Sequence, residues 1–225
     1  MAQVTGFPEV TRQSFCHALN SRAVAHKVAE EQFGKKYEDM RFVVAHLGGG
    51  ISFSAHIYGK ILDTIADDDG AFSPERSGTM PLLGVLDMCY SGKYTYQEMK
   101  KKVRGEGGMR SHLGTSDCQK IEKMIEAGDK HAELIYRAQA YQIAKATGLI
   151  CGAMKGEIDA IILTGGMAYS KKMVAWVKEY ISFLAPVIVY PGENELEALA
   201  MGGLRLLRGE ETAREFRTES INFII

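Results

Sequence analysis

The sequence predicts an α/β layered fold: three short strands in a meander, several helices, then an alternating β–α–β–α series. Three observations carry this. Ile51, Phe53, Ala55 and Ile57 alternate with Ser52, Ser54, His56 and Tyr58, the period of a strand. Residues 130–155 keep a helical period over many turns. Two short apolar runs end in glycines, at 48–50 and at 165–166, as strands do where they turn tightly.

Residues 1–12 hold Gly6 and Pro8 without periodicity and read as an extended lead-in. From Ser14 to Phe33, Phe15, Leu19, Ala23, Val24 and Val28 recur at helical spacing, and Gly34 supplies the stop. The apolar run Phe42–Ala45 leads into His46-Leu47-Gly48-Gly49-Gly50. The alternating strand follows, then a turn at Tyr58-Gly59-Lys60 and a third run, Ile61 to Ile65. Residues 66–79 are a polar loop with Gly and Pro. Helices are expected at 80–90, 95–104, 117–127 and 130–155. In the last, Leu134, Ile135, Ala138, Tyr141, Ile143, Ala144 and Leu149 are expected to face a core. A buried strand over 159–163, a glycine turn at 164–166, a helix at 170–184, a strand at 187–190 and a helix at 195–208 complete the series. The tail is charged, then apolar from Ile221 to Ile225.

The length, 225 residues, suits one large domain or two small ones. Lys and Arg number 27 against 28 Asp and Glu, a net charge of −1 that gives no footing for a nucleic-acid or anionic-membrane partner. No apolar run approaches the ~18 residues of a membrane helix. The first residues, MAQVTGFPEV, lack the basic-then-apolar pattern of a signal peptide, so a cytoplasmic location is expected. Cys16, Cys89, Cys118 and Cys151 form no CxxC pair, against a zinc site or a disulfide framework. Each is expected to be a small, half-buried hydrophobe.

Five segments could carry chemistry. In VVAHLGGGISFSA (43–55), Gly48, Gly49 and Gly50 would let backbone N–H groups approach an anion, with Ser52 adding a hydroxyl; a plain hairpin would look the same. IILTGGMA (161–168) is a strand entering a glycine turn before a helix. That is where open α/β sheets bind ligands, and also an ordinary tight turn. Arg76 sits in SPERSG (73–78), among small residues, either as an anion clamp or as a solvated loop residue. Glu193 and Glu195 open a helix, where the dipole alone would explain them, though one or two carboxylates beside phosphate suffice for Mg²⁺. Thr115, Ser116 or Asp117 reads as a helix cap. His17 and His46 stand at segment ends beside small residues, and either one alone could be structural. His26, His56, His112 and His131 have no motif around them and are expected to serve packing or surface.

Together these segments resemble the C-terminal domain of the acetate/butyrate kinase family, on its butyrate kinase branch. FCHALN (15–20) resembles the family's FHALN segment, with Phe-Cys-His where Ile-Phe-His is usual. VVAHLGGGIS (43–52) resembles its second phosphate-binding hairpin, with Gly49 where acetate kinases have Asn. FSPERSG (72–78) resembles the segment of the active-site Arg, LTGGMAYS (163–170) the adenosine-binding turn, and YPGENELEALAMGGLRLL (190–207) the C-terminal helix. The match runs over nearly the whole chain, and the ordered set is specific where each motif alone is not.

The resemblance implies an RNase H-like, actin-type ATPase domain, a mixed sheet with an antiparallel βββ opening flanked by helices. It implies reversible phosphoryl transfer between ATP and a short-chain carboxylate, giving ADP and an acyl phosphate. Arg76, His46 and His17 would be catalytic. Gly48, Gly49, Gly50, Ser52, Asp117, Gly165, Gly166 and Met167 would bind nucleotide, and Glu195 or Glu193 would hold Mg²⁺. Family members begin with a further actin-like domain carrying an Asn/Gly/Ser-rich first phosphate loop, and no such turn exists in this chain. Residues 1–40 are therefore expected to be the hinge end of a missing N-terminal half, and 41–225 the C-terminal ATPase domain. The missing half would supply the rest of the cleft, in cis or in trans, so this chain alone is not expected to suffice for turnover. Exposed hinge surface, and the apolar end Asn222-Phe223-Ile224-Ile225, lead to an expected homo-oligomer. Two rivals remain: a nucleotide-binding actin-like module without transfer activity, and a structural α/β subunit whose glycine turns are only turns.

Overall fold

A computed structural model describes residues 1–193, 195–210, 212 and 213, and its centre is a five-stranded mixed sheet. The strands are β1 (Arg41–Leu47), β2 (Ile51–Ile57), β3 (Lys60–Ile65), β4 (Ala160–Gly165) and β5 (Val187–Pro191), in the order β3-β2-β1-β4-β5. β1, β2 and β3 pair antiparallel as the expected meander, whereas β4 and β5 join β1 in parallel. The α/β class, the mixed sheet and its βββ opening are those expected.

The central strands are apolar on both faces because both faces are covered. Val43, Ala45 and Leu47 of β1, with Ile161 and Leu163 of β4, point into one core. Helices α6 (Lys130–Ala153) and α7 (Lys171–Ile181) close that face through Ile135, Tyr136, Ile143, Met173 and Val177. The alternate residues Phe42, Val44, Ala160 and Ile162 meet α1 (Ala18–Phe33) through Val24, Ala25, Val28 and Ala29. Helix α1 lies on the N-terminal side of residue 40 and contributes directly to this second core. α1 ends at Gly34, which is left-handed and returns its N–H to the carbonyls of Ala29 and Glu30.

Between β3 and α6 come α2 (Leu82–Tyr90), α3 (Tyr96–Val103), α4 (Gly108–Leu113) and α5 (Cys118–Glu126). α3 starts on a Thr95–Glu98 capping box, and Asp117, Asp129 and Ser170 cap α5, α6 and α7. The last helix, α8 (Glu195–Leu207), lies against α1, where Lys27 Nζ meets Glu197 Oε2 at 2.6 Å.

Several local expectations are corrected. Leu134, Tyr141 and Leu149 of α6 are exposed; the buried stripe includes Tyr136, Gln139, Ala140 and Thr147 instead. Gln139 is tolerated there because its Nε2 donates to the Phe72 carbonyl at 3.2 Å. Phe15 precedes the first helix and, like Leu19, is exposed. Cys89 is exposed and Cys151 buried rather than half-buried, and all four cysteines are free thiols. α4 was not anticipated, since six residues give no readable period. The helix α2 buries none of its residues and leaves Leu82, Leu83, Leu86 and Tyr90 exposed. Among the described residues no helix is long and apolar enough to cross a membrane. The apolar end 222–225 lies outside the described residues.

Candidate active site

The parallel pairing of β1 with β4 brings the carboxyl ends of both strands to one edge of the sheet, so their glycine turns open side by side. A cleft of about 290 Å³ lies there, lined by Gly48 and Gly49 from the first turn and Gly166 and Met167 from the second. Asp117, at the start of α5, and Glu193, before α8, complete the expected part of the lining. Pro74, Ser116, Cys118 and Gln119 also line it; the sequence offers Ser116 only as a cap and Cys118 only as a packing residue, and marks neither Pro74 nor Gln119. The Cys118 thiol is pushed up to about 11, chiefly by burial and then by Glu122 and Asp117, so it is not a thiolate nucleophile at neutral pH.

The glycines divide by what the fold requires of them. A Cβ on Gly165 would lie 2.6 Å from the Leu47 carbonyl oxygen, and the residue sits at φ 88°, ψ 176°, a region nearly confined to glycine. Gly165 thus lets β4 run close beside β1 and does not line the cleft. A Cβ on Gly48 would meet His46 Nε2 at 3.0 Å, and one on Gly50 would meet Asp67 Oδ2 at 3.3 Å. Gly49 and Gly166 differ: a Cβ on either would have nothing within 4 Å, and neither has a positive φ. Packing within the chain demands no glycine at these two cleft positions.

Beside the first turn stand the two expected histidines. Their rings stack with centroids 4.1 Å apart. His17 Nε2 is 2.7 Å from Glu195 Oε1, and its backbone N–H donates to Ser52 Oγ at 3.2 Å. Ser52 therefore anchors His17 rather than facing the cleft. His46 Nε2 lies 3.6 Å from Glu193 Oε1. Burial, reinforced by His17, pushes His46 down to about 3, so its ring is neutral at physiological pH. Asn20, inside the FCHALN segment but not picked out there, places Nδ2 2.9 Å from His46 Nδ1 and 3.2 Å from Thr164 Oγ1.

Arg76 is not a solvated loop residue. Its Nε donates to Asp67 Oδ2 at 3.1 Å, and Arg104 Nη2 donates to the other oxygen of Asp67 at 2.7 Å. Asp67 is buried and touches the position of a Gly50 Cβ, so it connects Arg76 to the first turn. Ser73 adds a second tie, donating through Oγ to the Gly49 carbonyl at 2.6 Å while accepting the Arg76 N–H at 3.0 Å. The sequence signal for Asp67 was the acidic run 67–69 upstream of the arginine. Asp117 spends Oδ1 on the N–H groups of Gln119 and Lys120, so its cap reading is correct whatever else it does. His56 is a packing residue, fully buried between Tyr37 Oη at 2.6 Å and Ser54 Oγ at 2.8 Å.

The chain matches the Acetokinase family over residues 10–186. It belongs to that family. It is 49% identical over 215 residues to "Probable butyrate kinase 2" of Caldanaerobacter subterraneus subsp. tengcongensis, covering 95% of this chain and 60% of that relative. Its fold is that of crystallised acetate kinases. Porphyromonas gingivalis acetate kinase superposes with a TM-score of 0.79 at 24% identity, over 88% of this chain and 56% of that one. Entamoeba histolytica acetate kinase gives 0.78 at 18% identity, over 90% and 62%. The chain thus spans 56–62% of the length of these relatives.

Proposed function

We propose that this chain is the nucleotide-binding part of a butyrate kinase that transfers the γ-phosphoryl group of ATP reversibly to a short-chain carboxylate. The observation that carries the reading is the cleft itself: Gly49 and Gly166, glycines without a packing reason, face it from two different turns. A ligand lying against the backbone supplies that reason. The neighbouring groups suit phosphoryl transfer, where positioning and charge stabilisation do most of the work. Gly48 to Gly50 would cradle phosphates, and Gly166, Met167 and the start of α5 would hold the nucleoside. His46, neutral through its burial, and His17 would hydrogen-bond the moving group, and Arg76, held by Asp67, would meet its charge. Mg²⁺ fits the donor set, since Glu193 lines the cleft and one carboxylate beside phosphate oxygens and water is enough. Glu195 is turned to His17 and fits less well. When bound, the ion would share the charge of the phosphates.

The carboxylate pocket, the closure that excludes water and the acyl preference belong to the rest of the enzyme in this reading. The exposed apolar residues of α2 support a protein that associates with a further surface, at least as a dimer. Calorimetry with millimolar Mg·ADP on the folded chain tests the cleft, and absence of heat overturns it. Joining the chain to the N-terminal part of the butyrate kinase relative tests the reaction: acyl phosphate should form from ATP and butyrate. Nucleotide binding without carboxylate-dependent turnover in that joined protein would favour the non-catalytic actin-like module.

A further inference from the structure

A chain of buried hydrogen bonds runs from the backbone at Gly192 to the His46 ring, and its polarity is fixed at one end. Thr164 Oγ1 lies 3.3 Å from the Gly192 carbonyl oxygen. A carbonyl only accepts, so the Thr164 proton goes to it and Oγ1 keeps its lone pairs for another donor. Asn20 meets that oxygen at 3.2 Å and must present its NH₂ group there rather than its carbonyl. The same Nδ2 lies 2.9 Å from His46 Nδ1, which must then be the unprotonated ring nitrogen. In a neutral imidazole the single proton is left on Nε2. Asn20 and Thr164 are fully buried and His46 nearly so, which leaves little room for water to reverse the order.

We propose that Asn20 is a positioning residue that fixes His46 as its Nε2–H tautomer, so that the ring presents a hydrogen-bond donor to the cleft. Nε2 is the atom next to Gly48 and Glu193, on the cleft side of the ring. A donor there suits an anionic oxygen, whereas the opposite tautomer would turn a lone pair toward it. The inference rests on the proposed kinase reading only for what the donor is used for; the tautomer stands without it. It also bears on a rival use of the cluster. His17, His46 and Glu193 offer three ligand atoms within 4.8 Å of one another. A metal on His46 Nε2 would need the lone pair that this tautomer withholds, and a reversal of the Asn20 amide.

Long-range ¹H–¹⁵N spectra of the ring nitrogens, assigned with His46→Gln, test it on the chain at neutral pH. The expected result is a protonated Nε2 and an unprotonated Nδ1; the opposite tautomer overturns the proposal. In Asn20→Asp the carboxylate can only accept, so Nδ1 should become protonated, and an unchanged ring overturns it. Should that variant fail to fold, Thr164→Val keeps the volume and removes the oxygen that orients the amide. Both tautomers should then appear, and a ring left wholly in the Nε2–H form overturns the role of the chain of bonds. The expected tautomer in a chain that gives no heat with Mg·ADP would sustain the Asn20 role and overturn the kinase reading, so the two failures are separable.

Discussion

The two sides of the cleft are made of different materials. On the β1–β2 side Gly48 and Gly49 line it, and next to that turn, outside the lining itself, stand His17, His46 and, tied in through Asp67, Arg76, each fixed by hydrogen bonds from other elements. The β4 side holds backbone, Met167 and the capped start of α5, and Asp117 spends an oxygen on the cap. One side can respond to charge that appears during a reaction; the other offers shape and N–H groups that a bound ligand meets before any reaction. Substitutions on the first side should therefore fall on turnover and those on the second on affinity or folding.

The largest effect belongs to the charged side. In the joined enzyme, Arg76→Ala should cut kcat by about 10³–10⁵, the range for an arginine that meets phosphoryl charge in flight. Nucleotide affinity should change much less, because the interaction is made mainly in the transition state. Arg76→Lys should recover little, since an ammonium does not reproduce the planar fork held by Asp67. Steady-state kinetics beside ADP calorimetry checks both, and turnover within a few-fold of wild type would remove Arg76 from the reaction.

Next comes a loss of folding on the uncharged side. Gly165→Ala places a Cβ against the Leu47 backbone in a conformation that only glycine adopts readily. Strain of about 1–3 kcal/mol and a similar cost for overpacking should add, lowering the unfolding midpoint in urea sharply. A midpoint like that of wild type would mean that β4 can move away from β1.

Two buried histidines, His46 beside the cleft and His56 in the packing around Tyr37, should also make stability depend on pH. Burial pushes both His46 and His56 down to about 3, far below an unfolded value near 6.5. A depressed folded value means that the neutral ring is favoured by folding. The stabilisation is complete above about pH 6.5 and is lost as pH falls toward 3. At pH 5 the loss should be of order 2 kcal/mol per ring, and His46→Gln should remove roughly half of it. Urea unfolding at the two pH values measures this, and equal stability at both would mean that the rings are not desolvated as their burial indicates.

Much of this arrangement was legible because strands and turns have short-range signatures. The alternation in 51–57 and the glycines at 48–50 and 165–166 placed both turns at strand ends. The longest helix misled because α6 carries apolar residues on several sides, so Leu134 and Leu149 looked as buried as Ile135. Only tertiary contact selects the inner side, and it brings in Gln139 and Thr147, which a hydrophobicity pattern leaves out. Ser54 and His56 alternate as if facing water, yet α1 covers that face and Tyr37 satisfies the ring. Asn20 and Asp67 were missed for a related reason. Their roles are bonds to residues 26 and 9 positions away; nothing local marks Asn20, and the acidic run 67–69 draws notice to Asp67 without naming its partner.

The smallest expected effect tests the division most closely. Gly49→Ala and Gly166→Ala each add a methyl group to open space, at backbone angles that alanine can adopt. Stability should stay within about 0.5 kcal/mol of wild type, as for surface changes that disturb no packing. A nucleotide pressed against the same backbone would meet the methyl, and a displacement costing about 1.4 kcal/mol is a tenfold loss of affinity. Gly166→Ala, on the binding side, should lose affinity for Mg·ADP and keep kcat at saturation. Gly49→Ala sits beside the phosphates, with its carbonyl held by Ser73 next to Arg76, so it should lower affinity and kcat together. Calorimetry and saturation kinetics on the pair separate the two patterns. If both variants bind Mg·ADP as wild type does, the two glycines lack a ligand as well as a packing reason, and the cleft loses the observation on which its reading rests.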